Sequence, residues 1–373
     1  MTAPKMRLAV LFGGKSAEHE VSLLSAHNVM ASADPEKYEI VPIAIDKDGH
    51  WRHGPADVLV ADPTDPAKVR VRKGFPEVVL PMGTGRPTLR RLSDGKSLGH
   101  VDCVFPVLHG PMGEDGTVQG LLSLADVPFV GSGVLGSAVS MDKDIAKRLL
   151  TEANLPNAPF LSVQRGEEER FSYPVVKKAL GETVFVKPAN LGSSVGVSKV
   201  RDEKTYRDAL REALSFDTKV VVEKEIVGRE VECSVLGNRD PIASVPGEII
   251  PSHEFYSYEA KYLDEQGAKL IVPVELPEGQ TKRLQEICLS AYRTLQCEGM
   301  ARVDCFICAD GEIFVNELNT LPGFTQISMY PRLWEATGIS YPQLIDSLVD
   351  LALERHAERS GLRLSRASKE EEF

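Results

Sequence analysis

The segment ARVDCFICADGEIFVNELN, residues 301–319, constrains the fold more tightly than any other part of the chain. Two runs rich in β-branched and aromatic residues flank Asp310-Gly311, and Asp-Gly in that setting signals a hairpin with a two-residue loop. Counting outward from that loop, Ala309 faces Glu312, Asp304 falls opposite Glu317, and Arg302 falls opposite Asn319. Asn319 then shares a face with Glu317. Directly opposed carboxylates repel unless something neutralises them. A hard divalent cation such as Mg²⁺ (or Mn²⁺) shared by Asp304, Glu317 and Asn319 is one solution. A carboxylate turned to solvent, or paired with Arg302, is the other, and register alone leaves both open.

Composition removes several function classes. With 43 basic against 54 acidic residues the net charge is −11, and no long basic run interrupts it. That balance argues against nucleic acid and anionic membrane as partners. The opening MTAPKMRLAVLF holds too short an apolar run for a secretory segment, and no eighteen consecutive apolar residues occur, so a cytoplasmic protein is expected. At 373 residues the chain has room for two or three domains. Six cysteines do not make a disulfide scaffold at this length. Cys305-Phe-Ile-Cys308 spells C-x-x-C but has no second pair, and reads as buried strand cysteines.

Residues 1–140 alternate strands with helices, which favours a parallel sheet carrying its ligand sites at strand carboxyl ends. Strands are expected at 7–12, in YEIVPIAID and in VDCVFPVLHG, with helices from about Ala17 to Ala33 and in GTVQGLLSLADV. Gly13, Gly14 and His109 lie at strand ends. LFGGKS resembles a phosphate-binding loop but fails its pattern, since Ala9 stands where the first glycine must be. A plain Gly-Gly bend is expected there. Residues 50–100 suggest short strands and carry no assignable chemistry.

The texture changes at Met141. A helix in MDKDIAKRLLTEANLP precedes strands in TVFVKP, VGVSKV, KVVVEKEI and REVECSVLG. In the intervening DEKTYRDALREAL, residues Tyr206, Ala209, Leu210, Ala213 and Leu214 fall on one helical face. Further helices are expected around 278–296 and 341–358. VFVKPANLGSSVGVSKV places Lys187 at a strand end before a loop of small residues, either a flap over phosphates or an ordinary Gly/Ser turn.

Taken together, LFGGKSAEHEVSLLSA, LHGPMGEDGTVQG, GSGVLGSAVSMDK, VKPANLGSSVGVSKV, FYSYEAKY and NELNTLPGFTQISMYP resemble the D-alanine–D-alanine ligase family of the ATP-grasp superfamily, from about residue 6 to 355. The resemblance implies an N-terminal parallel α/β domain (1–140), then a two-lobed α+β ATP-grasp fold. Its central lobe would span 141–225 and its C-terminal lobe, with metal site and lid, 226–360, leaving a charged tail at 361–373. It implies ATP and Mg²⁺, two D-alanine molecules, and a homodimer formed through the N-terminal domain. For the nucleotide it implies Lys143, Lys187 and Ser194 on the phosphates, Glu223, Lys224 and the Ile226 backbone at adenine, Glu230 on ribose and Lys261 near the γ-phosphate. Asp304, Glu317 and Asn319 match the family's metal ligands. Glu18 would bind the first ammonium, oriented by Ser193 and Tyr262 with His109 beside it. Arg302 and the Gly323 N–H would hold an oxyanion, and Ser328 with the Met329 N–H the second carboxylate. A lid from 251–275 would exclude water. The rivals are a D-alanine–D-lactate ligase, against which Tyr262 in the lid speaks, and a nucleotide-binding protein without catalysis.

Overall fold

The computed structural model describes residues 4–63, 65–83, 87–251 and 268–363. Leu8 through Phe12 are wholly inaccessible to water, as expected of a strand covered on both faces. That strand, Met6–Gly13, is central in a four-stranded sheet. It runs parallel to Tyr38–Ile45 on one side and Cys103–Val107 on the other, with Trp51–His53 antiparallel at the edge. Gly13 and Gly14 both take positive φ, and a Cβ on Gly13 would sit 2.2 Å from the Ile45 carbonyl oxygen. The bend therefore demands glycine, and the following helix begins only at His19, ending at Ser32. Val60–Ala61 with Arg70–Val71, and Val78–Val79 with Thr88–Arg91 and Ser97–His100, form two small antiparallel sheets.

A second sheet is antiparallel, in the order Phe160–Gln164, Lys219–Lys224, Val184–Pro188, Ser198–Val200. The helix Glu203–Phe216 covers it, starting where the Asp202 carboxylate accepts the Thr205 N–H at 2.9 Å. Its buried face is the five residues read from the spacing, Tyr206, Ala209, Leu210, Ala213 and Leu214.

The third sheet runs Ala268–Ile271, Gly247–Pro251, Arg229–Gly237, Gly299–Ile307, Ile313–Asn319, with Ile242–Ala243 beside Arg229–Gly237. The helix Gln280–Thr294 packs Leu284, Cys288 and Ala291 against its core. The last helix, Tyr341–Ser360, opens with a reciprocal Ser340/Gln343 cap. It returns to the first sheet, where Leu344, Ile345, Leu348 and Val349 share one core with Leu8–Phe12. Arg355 donates to the buried carbonyls of Phe129 and Gly131, fastening the helix there.

Two sequence readings need correction. The hairpin loop holds three residues, because the Cys308 N–H bonds to the Glu312 carbonyl and Ile307 faces Ile313. Cys308 lies beyond the strand end and is half-buried, so of that pair Cys305 alone is a buried strand cysteine. Three helices of eight or more residues, Val134–Met141, Tyr173–Leu180 and Met329–Thr337, had no counterpart in the periodicity. The first carries no polar face, and the others contain a proline in their opening turn, which reads as a breaker but fits there. Among the described residues no helix is long and apolar enough to cross a membrane.

Candidate active site

The hairpin brings its acids together by an unexpected route. After the three-residue loop the strands are one step out of the counted register, and a bulge between Asp304 and Cys305 restores it, so that Asp304 does face Glu317 and Arg302 faces Asn319. The bulge sets Asn316 and Glu317 in succession on the side away from the core, between buried Val315 and Leu318. Arg302 grips Asp304 with both arms, Nε to Oδ1 and Nη2 to Oδ2 at 2.7 Å each. Asn319 Nδ2 donates to Asp304 Oδ2 at 2.9 Å, and Lys143 Nζ lies 3.4 Å from Glu317 Oε2. Opposed carboxylates and an amide offer hard oxygens from adjacent strands, a donor set that suits Mg²⁺. Arg302 and Lys143 set positive charge beside the two carboxylates.

Above the hairpin a cleft of about 310 Å³ separates the second and third sheets. Lys143, Lys187, Ser194, Glu223, Lys224, Ile226 and Glu230 all line it, together with Glu317 of the hairpin. These are all the nucleotide-contacting residues expected from sequence save Lys261, which lies outside the described residues with Tyr262. The strands on either side of that segment pair at Pro251 and Ala268. Lys143 Nζ donates to the Leu191 carbonyl at 2.7 Å, tying the Gly/Ser loop to the cleft. In that loop Ser193 and Ser194 both adopt left-handed φ, 50° and 59°, a conformation costing non-glycine residues roughly 1–2 kcal/mol each.

Lys187 Nζ donates to Glu223 Oε2 at 2.8 Å. Burial works against the Lys187 charge, yet Glu223 and Glu317 outweigh it and hold the ammonium above its ordinary range. Burial likewise opposes the Glu223 charge, and Lys147 and Lys187 overcome it to hold that carboxyl low.

Ser193 also donates to Glu18 Oε1, so the loop touches both the cleft and the first strand–helix bend. Glu18 occupies the N-cap position of His19–Ser32 but spends its carboxylate on Ser193 rather than on the helix. His109 is buried nearby. Its Nδ1 sits 3.0 Å from the Leu321 carbonyl, its Nε2 meets no partner among the described residues, and burial holds the ring below its ordinary pKa. The loop carrying Gly323 is bound to the first sheet's core. The Leu321 N–H reaches Glu114 at 3.3 Å and the Phe324 N–H reaches Ser25 Oγ at 3.1 Å. A Cβ on Gly323 would stand 2.8 Å from Ser328 Oγ, so glycine lets this backbone approach the start of Met329–Thr337.

Sequence models of the D-ala D-ala ligase N-terminus and C-terminus match residues 7–132 and 149–350. A relative from Oceanobacillus iheyensis, a D-alanine–D-alanine ligase, is 48% identical, covering 97% of this chain and 99% of its own. The chain belongs to the D-alanine–D-alanine ligase family. Among solved structures, the VanG D-Ala:D-Ser ligase of Enterococcus faecalis superposes with a TM-score of 0.82 at 36% identity, covering 94% of this chain and 100% of the other. The D-alanine–D-alanine ligase of Bacillus anthracis complexed with ATP gives 0.71 at 29% identity, covering 95% and 99%.

The structure of this family member adds two charged residues that the sequence did not single out. Glu114 is half-buried between the Gly110 N–H, at 2.7 Å, and the Leu321 N–H; the loss of water around it, reinforced by the charge of Glu18, lifts its carboxyl to about 8. Lys147 is buried on Lys143–Glu152 with its Nζ 3.4 Å from Glu223 Oε1. Its position one turn beyond Lys143 was the available signal.

Proposed function

We propose that this enzyme joins two D-alanines, coupled to ATP → ADP + phosphate, supplying D-alanyl-D-alanine for peptidoglycan synthesis in the cytoplasm, where ATP is available. The observation that carries the reading is the single cleft. Residues from separate stretches of chain line it together, and one of them, Ser193, bonds Glu18.

A carboxylate is a poor electrophile, so its oxygen first takes the γ-phosphoryl group from ATP, giving a D-alanyl phosphate and ADP. Lys143 and Lys187 neutralise phosphate oxygens, with Ser194 on the flap and Lys261 toward the γ-phosphate. Glu223, Lys224 and the Ile226 backbone meet the adenine edge, and Glu230 the ribose. Asp304, Glu317 and Asn319 would hold Mg²⁺, whose charge favours negative phosphate oxygens. Glu18 binds the first ammonium, oriented by Ser193 and Tyr262, with His109 beside it. The second amine then attacks the acyl carbon, losing a proton, and phosphate departs. Arg302 and the Gly323 N–H face the developing oxyanion; removing one such donor typically costs about 3–4 kcal/mol. Ser328 and the Met329 N–H, at a helix N-terminus, take the second carboxylate. The lid of 251–275 shields the acyl phosphate from water.

A homodimer through the N-terminal domain (1–140) fits the exposed Leu121 and Leu124 of Thr117–Leu124 and Val134 and Leu135 of the helix packed beside it.

The test is product formation with ATP and Mg²⁺, comparing D-alanine alone with D-alanine plus D-lactate or D-serine. Dipeptide and phosphate in equal amounts, with D-alanine used far better at neutral pH, are expected. Comparable mixed products would overturn the substrate, and ATP binding without D-alanine-dependent phosphate release would overturn the activity.

A further inference from the structure

Glu223 is shared by two lysines of unequal freedom. Lys187 holds Oε2 at 2.8 Å and lines the cleft. Lys147 faces Oε1 at 3.4 Å from behind, with its side chain 2% exposed and its ammonium 5.8 Å from the centre of the Phe160 ring. Among the described residues Lys147 Nζ has no hydrogen-bond partner, and it lines no part of the cleft. A buried ammonium whose nearest carboxylate oxygen stands off at 3.4 Å is costly, and a chain that retains one behind a binding site has a use for its charge.

We infer that Lys147 is a positioning residue for nucleotide binding: it keeps Glu223 compensated when Lys187 leaves that carboxylate for phosphate. The inference rests on the reading of the cleft as the ATP site. The charges decide it. With both lysines present the cluster carries one surplus positive charge, so Lys187 can turn to a phosphate while a neutral Lys147–Glu223 pair stays behind. Without Lys147, the same movement strands a buried carboxylate, and breaking a buried pair in that way is strongly unfavourable. Lys187 then stays on Glu223, and phosphate binding weakens while the adenine and ribose contacts survive. Nothing in this role involves the D-alanine pockets.

The test is calorimetric binding of ADP and of adenosine to the full chain, read as the ratio of the two affinities. In Lys147→Met that ratio is expected to fall about tenfold or more, with the KM for D-alanine unchanged. Lys147→Arg restores the ratio, because a cation is restored. Adding Glu223→Gln to Lys147→Met also restores it, because the carboxylate that holds Lys187 is gone. A merely structural Lys147 would not be rescued by removing Glu223. An unchanged ratio in Lys147→Met, or an equal fall in the double variant, overturns the inference while leaving the ATP site standing. A wild-type chain that binds no ADP overturns both. If Lys147→Met does not fold, Glu223→Gln alone decides: freeing Lys187 raises the ratio, and a fall contradicts the role.

Discussion

Glu114 keeps its proton near neutral pH because burial takes the carboxyl out of water and Glu18 stands close by. Its folded pKa, about 8, lies above its ordinary value of 4.5, so the native state binds the extra proton between them. The resulting stabilisation is complete below the ordinary value and is lost as pH rises through the folded one. In urea unfolding from pH 5 to pH 8, Glu114→Gln is expected to show a shallower decline than wild type, on top of a pH-independent offset from one lost acceptor. Parallel declines would contradict the assignment. Glu114 also shows why some of the site was illegible: nothing in GEDG announces that its first acid is held between two backbone N–H groups. Glu18 and His109 were legible only through the resemblance, since a helix-start carboxylate and a strand-end imidazole are common. Pattern placed Lys187 at a strand end and Glu317 on a hairpin strand, but their meeting with Glu223 depends on contacts between distant segments.

At the scale of elements, the hairpin was read correctly for a partly wrong reason. Asp-Gly marked the turn, and the counted pairing of Asp304 with Glu317 is real, yet the loop has one residue more and a bulge takes the step back. The signal was present in the spacing of buried residues: Ile313 and Val315 are two apart, whereas Leu318 follows Val315 by three. Gly311 sits in the loop with φ 86°, a region that alanine enters at a penalty of roughly 1 kcal/mol. Gly311→Ala should therefore lower unfolding stability by about that amount and Gly311→Asn by less, since asparagine tolerates left-handed backbone. Equal stability of all three proteins would place the turn strain elsewhere. The helix 203–216 was fully legible because its apolar face follows one period without interruption.

At the scale of the molecule, the cleft lies between sheets whose strands are interleaved in sequence with helices that pattern reading could place only singly. The final helix, packed on the core of the first sheet, could not have been anticipated from its own periodicity, which names a buried face but not its partner. The proposed dimer predicts that Leu124→Glu combined with Leu135→Glu yields monomers by light scattering without loss of fold, since both side chains are exposed. A wild-type monomer, or a dimer unaffected by both changes, would move the interface elsewhere. The central claim is that one hairpin presents two acids to a shared cation beneath the triphosphate. Its most direct measurement is D-alanine-dependent phosphate release by Glu317→Gln at saturating ATP and Mg²⁺, with circular dichroism run alongside. A native spectrum with turnover reduced by at least about a thousandfold is expected; near-normal turnover in a folded variant would contradict the shared cation.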